Sequence, residues 1–175
     1  MRKETAKRVL AIDPYSRGVG FAVLEGPGCL IDWGLRSTGG ADNAKAARAI
    51  DKLIDRFRPD VLALEDWDSA GSRRCGRVQE LLGRIAAAEG NRVLVRLITW
   101  REIRAVGPLP QTGTKHGRAC FLAERFPELQ AFQPPFRRLW MPEDDRMAIF
   151  DAVGFAVASY PARRPAADPP KRALA

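Results

Sequence analysis

The chain of 175 residues holds one histidine, three cysteines and no long apolar run, and each scarcity removes a class of protein. His116, standing alone, excludes mechanisms that need several histidine ligands. Cys29, Cys75 and Cys120 are far apart and never in CxxC spacing, so neither a disulfide framework nor a structural zinc site is supported. No stretch approaches the roughly 18 apolar residues that span a bilayer, so no membrane partner is expected. The opening "MRKETAKRVLAID" lacks the apolar core and cleavage site of a secretory signal, and a cytoplasmic location is expected. Any metal would have to be held by carboxylates.

What is present is enough for one globular domain: 46% of residues are hydrophobic and 29% charged. Residues 1–160 read as that domain, and the Pro-, Ala- and Arg-rich residues 161–175 as a disordered basic tail. The net charge of +8 is concentrated at the ends, because residues 1–8 and 161–175 each hold four basic side chains against one acid. A polyanionic partner fits this balance, although basic tails often serve only solubility.

"KRVLAIDP" and "VGFAVLEG" read as a hairpin of two apolar strands joined by "YSRG", and "CLIDWGLRS" as a third strand. In "ADNAKAARAIDKLIDRFRP" Ala46, Ile50, Leu53, Ile54 and Phe57 share a helical face that Pro59 closes. "DVLALE" is a short, buried type of strand, followed by a helix bearing Val78, Leu81, Leu82 and Ile85 and then by the strand "RVLVRLITW". A helix over "TKHGRACFLAERF" and a last one from about Asp144 to Ser159 complete the order β-β-β-α-β-α-β-α-α. This predicts an α/β fold: a mixed five-stranded sheet, three antiparallel strands then two parallel, with helices on its faces.

Three acids sit where charge is costly. Asp13 ends the first strand and Glu65 the fourth; if those strands are neighbours, both lie at one edge of the sheet. Asp151 interrupts the apolar helix "MAIFDAVGFAVAS". Taken singly, Asp13 before Pro14 could form a turn, Glu65 could be a surface acid and Asp151 a salt-bridged one. Together they would repel one another unless a cation sat between them, and oxygen-only donors favour Mg²⁺, with Mn²⁺ as a substitute. Such a cluster suits two-metal phosphoryl chemistry.

The run "AIDPYSRGVGFAV" resembles the first strand and hairpin of the RuvC-type Holliday-junction resolvases of the ribonuclease H-like superfamily, whose first metal-binding aspartate falls here on Asp13. "RPDVLALEDW" is similar to the second acidic strand and gives Glu65, "DAVGFAVAS" to the closing helix and gives Asp151, and "VGPLPQTGTKHGRA" to a segment whose lysine matches Lys115. The resemblance implies a Mg²⁺-dependent endonuclease, homodimeric, that cuts paired strands of a four-way DNA junction. In the family a fourth acid usually stands three or four residues before the helix aspartate, where this chain has Ala148 and Met147. Asp144 is the candidate substitute, two turns back and roughly 10 Å along an ideal axis; alternatively "PEDD" complements the helix dipole with Pro142 near N1, or the helix begins later.

Around the acids, Arg73, Arg74 and Arg77 in "EDWDSAGSRRCGR" are candidates for phosphate contacts, and Trp67 for stacking on an unpaired base, with core packing as its alternative. Lys115 and Arg118 open a helix, where backbone N–H groups also favour phosphate. Arg137 and Arg138 are further basic candidates or plain solvated surface. Gly83 and Ala86 to Ala88 would allow close helix contact, at a subunit interface in a RuvC-like dimer or within the chain's own fold. Two other functions compete with junction cleavage: a YqgF-like ribonuclease of ribosomal RNA maturation, and a non-catalytic nucleic-acid-binding module.

Overall fold

A computed structural model describes residues 6–161. The expected tail therefore lies, beyond Pro161, outside the described residues. Strands β1 (Arg8–Tyr15), β2 (Gly18–Glu25) and β3 (Leu30–Ser37) form an antiparallel meander. Helix α1 (Asn43–Phe57) crosses to β4 (Val61–Glu65), and α2 (Gly76–Glu89) to β5 (Leu94–Ile98), both parallel to β1. The sheet order is β3-β2-β1-β4-β5, so the mixed five-stranded architecture expected from the sequence is present and β1 and β4 are neighbours.

Strand alternation divides the apolar residues between two cores. On one face, Leu10 and Ile12 of β1, Val19, Phe21 and Val23 of β2 and Leu62 and Leu64 of β4 pack under α1 and α2. On the other, Val9 and Ala11, Ala22 and Leu24, and Val61 and Ala63 pack under α4 (Lys115–Arg125) and α5 (Met147–Ala158). Burial of both faces explains why β1 and β2 read as nearly unbroken apolar runs.

Several elements differ from the sequence expectation, among them two unexpected 3-10 turns at Gln111–Gly113 and Pro127–Phe132. A five-residue helix, α3 (Trp100–Arg104), follows β5 behind a capping box in which the Thr99 hydroxyl accepts from the Glu102 amide and Glu102 accepts from the Thr99 amide. It is too short for periodicity to reveal. The last helix begins at Met147, not near Asp144, so Pro142 lies outside it and "PEDD" forms the approach to the helix instead of its first turn. Asp144 accepts from the Arg146 amide at 2.9 Å, a local bond that stabilises a turn in competition with an earlier helix start.

Candidate functional site: buried carboxylates at the edge of β1 and β4

Parity along the strands decides which way the acids point. Val9 pairs with Val61 and Ala11 with Ala63, all facing α5, and two residues further on each strand come Asp13 and Glu65. Both therefore face α5, which contributes Asp151. Gly20, the cross-strand partner of Asp13, sits under Ala148: a Cβ at Gly20 would lie 2.5 Å from the Ala148 carbonyl oxygen. The missing side chain lets α5 rest on β2 and brings Asp151 over the sheet end. All three acids are buried.

Three basic side chains compensate them. Arg74, from the loop between β4 and α2, donates Nη2 to Asp13 Oδ1 and Nε to Glu65 Oε2, and donates Nη1 to the Pro14 carbonyl at 2.9 Å. One planar guanidinium thus joins the two strand-end carboxylates. The remaining Glu65 oxygen accepts from Ser72 Oγ at 2.8 Å and Trp100 Nε1 at 2.9 Å. Asp151 meets Lys115 Nζ at 3.0 Å and Arg118 Nη2 at 3.6 Å. Arg118 itself is buried, stacked 4.9 Å over the Trp100 ring, and its Nη2 has no hydrogen-bond partner among the described residues.

Burial is the main influence on Asp13 and pushes its carboxyl up to about 7; Arg74 opposes this, and Asp151 and Glu65 reinforce it. Burial alone would lower Lys115, but Asp151 and Asp13 outweigh it and hold the ammonium above its ordinary range. Arg118 is lowered, chiefly by burial.

The other sequence candidates are spread more widely. Asp144 lines the same cleft as Asp13 and Asp151, but its carboxylate is held by Arg146, with Nη2 to Oδ2 at 2.6 Å. Since α5 begins at Met147, Asp144 is not on a helical face shared with Asp151. Arg73 is exposed at the cleft rim, whereas Arg77 is tied to Asn43 Oδ1 at 2.9 Å. Lys115 also pairs with Glu143 at 2.8 Å. Trp67 packs against the core beneath α2, beside Gly83. Trp100 and Ser72 were missed by sequence reasoning; "TWRE" carried a capping-box signal that would have placed Trp100 at the end of β5, beside β4.

Among the described residues no three His, Cys, Asp or Glu side chains stand together as a ready metal-ligand group. The donor chemistry nonetheless suits a hard divalent cation: buried carboxylates from adjacent strands already share one positive group, and every available ligand atom is oxygen.

A mixed sheet of this order between helices is a ribonuclease H-like fold, with Glu65 ending β4, Asp151 on the closing helix and Asp13 two residues short of the end of β1, which runs on to Tyr15 and was expected to stop at Asp13. Within that fold the chain is similar to RuvC of Thermus thermophilus. It aligns with that protein's structure at a TM-score of 0.58 and 18% identity, covering 86% of this chain and 92% of that one. The T. thermophilus RuvC solved in complex with Holliday junction substrate aligns at 0.59 and 16% identity, over 87% of this chain and 91% of that one. No family model and no curated protein sequence matches the chain. Its likeness to RuvC is a likeness of fold.

Proposed function

We propose that the protein is a divalent-metal-dependent, structure-selective DNA endonuclease that resolves four-way junctions, acting as a homodimer. The observation that carries this reading is the burial of Asp13 and Glu65 on the neighbouring strands β1 and β4, with Asp151 of α5 buried beside them and lining the same cleft as Asp13. The solved junction complex of a protein with this fold supports the choice of substrate. Asp13, Glu65 and Asp151 would hold Mg²⁺ or Mn²⁺, with Asp144 as a further oxygen donor in the same cleft. When bound, such ions supply charge neutralisation and Lewis acidity at a phosphodiester. Glu65 would be oriented for that role by Ser72 and Trp100, and Asp151 by Lys115, with the Arg118 charge nearby. Arg73 at the rim and Lys115 in the cleft are placed to meet backbone phosphates.

One observation favours a second reading, binding without cleavage: Arg74 already satisfies the two strand-end acids. A gel assay with Mg²⁺ separates the two. A synthetic four-way junction, a linear duplex and a structured RNA are supplied to wild type, Asp13→Asn and Glu65→Gln. Paired nicks in the junction alone, lost in both variants while junction binding persists, are expected. Retardation without nicking by wild type would establish the binding module, and RNA cleavage would establish the ribonuclease.

A further inference from the structure

The segment from Gln133 to Arg146 joins α4 and the 3-10 helix after it (Pro127–Phe132) to α5. It rims the acidic cleft: its Glu143 pairs with Lys115 at 2.8 Å, and its Arg137 borders the same cleft as Glu65 and Arg74. At its tip large apolar side chains stand in solvent, with Phe136 71%, Leu139 97% and Trp140 76% exposed. Clustered exposure of this kind marks an interaction site.

The charges around the tip say what it fits. Arg137 and Arg138 have no carboxylate partner among the described residues, whereas each acid that follows has a basic one: Glu143 pairs with Lys115, which it shares with Asp151, Asp144 with Arg146 and Asp145 with Arg17. The tip is therefore apolar and positive. It is also braced, because Arg137 Nε donates to the Met141 carbonyl at 2.6 Å and the Phe136 ring meets His116 edge-on at 5.3 Å between centroids. The Arg138 guanidinium lies 5.4 Å from the centre of the Trp140 ring. Exposed aromatic side chains interleaved with guanidinium groups that no carboxylate holds match unpaired bases on an anionic backbone. A second copy meeting this tip face to face would bring like charges together.

We propose that the 133–146 segment is a base-stacking surface, in which Trp140 and Phe136 stack on nucleotides left unpaired at a DNA branch while Arg137 and Arg138 contact the adjoining phosphates. This rests on the reading of the cleft as a branched-DNA site and gives it a branch-sensing element. Trp67, half-buried against the core beneath α2, does not present a comparable exposed ring.

The test uses wild type, Trp140→Ala and Phe136→Ala in EDTA, where no cleavage intervenes, with unchanged melting confirming that the exposed substitutions leave the fold intact. Affinities for a four-way junction and a linear duplex of equal length are compared. Each variant is expected to bind the junction about tenfold more weakly and the duplex within about twofold of wild type. A 2-aminopurine at the branch, quenched on binding by wild type, is expected to stay bright with Trp140→Ala. Unchanged junction affinity in both variants, with Arg73→Ala still weakening it, would overturn the stacking surface and leave the nuclease reading standing. Equal losses on junction and duplex would overturn it too, as would a loss that tracks dissociation of a protein dimer in sedimentation. If wild type binds the junction no more tightly than the duplex, the reading of the cleft itself fails.

Discussion

Arg74 reaches from a surface loop into the cleft and leaves little of its side chain exposed, so its charge is integral to how Asp13 and Glu65 are tolerated. Truncating one member of a buried ion pair leaves the others uncompensated, typically at about 3–5 kcal/mol. Arg74→Ala is accordingly expected to destabilise the metal-free protein by about that amount in urea unfolding, and Mn²⁺ is expected to restore more stability to the variant than it adds to wild type. Equal Mn²⁺ effects on both would show that the guanidinium and the ion do not compete. Asp13 gives a pH signature of opposite sign to an ordinary ion-paired aspartate. Its folded-state value is raised from 3.8 to about 7, so between those limits the unfolded chain has lost a proton that the folded chain keeps. Stability in EDTA should therefore fall as pH rises from about 4 to about 7 and then level off. Asp13→Asn should flatten that slope and raise the melting temperature at pH 8, even though it removes cleavage. The burial of the three acids was legible in the sequence because charges on apolar elements stand out; Arg74 was read with Arg73 and Arg77 as a phosphate contact, because "SRRCGR" offers three arginines and nothing in their spacing says which one folds inward onto the acids.

Among the elements, the contact between α5 and β2 sets the site. A methyl group at Gly20 would overlap the backbone of Ala148, and neither strand nor helix can yield without disturbing the buried layer around them. Gly20→Ala is expected to cost about 1–3 kcal/mol by overpacking and to lower cleavage more than its stability loss explains, since Asp151 rides on the displaced helix. Denaturation midpoints and single-turnover rates on the same samples would check this. The strands, α1, α2 and α4 were readable because alternation and helical spacing were each sustained over several residues; of the expected face of α1, Ala46, Ile50, Leu53 and Ile54 are buried and Phe57, at its end, is half-buried. The start of α5 was not, since acids after a proline imitate a helix N-terminus, and here a local Asp144–Arg146 bond holds a turn instead.

For the whole molecule, the net charge of +8 is a statement about association more than about fold. Junction binding should weaken steeply with added salt, and Arg73→Ala should reduce the slope of log affinity against log salt by about 1. A variant with an unchanged slope would remove Arg73 from the contact surface. The RuvC-like fold was legible from the first hairpin onward, but the exposed aromatic tip between α4 and α5 was not, because apolar residues flanked by prolines look the same in sequence whether they are buried or free.

The helix that covers Val9, Ala11, Ala22 and Leu24, and that carries the third acid, is encoded late in the chain. On the ribosome, a nascent polypeptide halted before residue 147 would hold Asp13 and Glu65 on an open greasy sheet with nothing to complete the constellation. Such a fragment would present that sheet to chaperones and proteases, and interrupted translation would yield a chain that lacks Asp151.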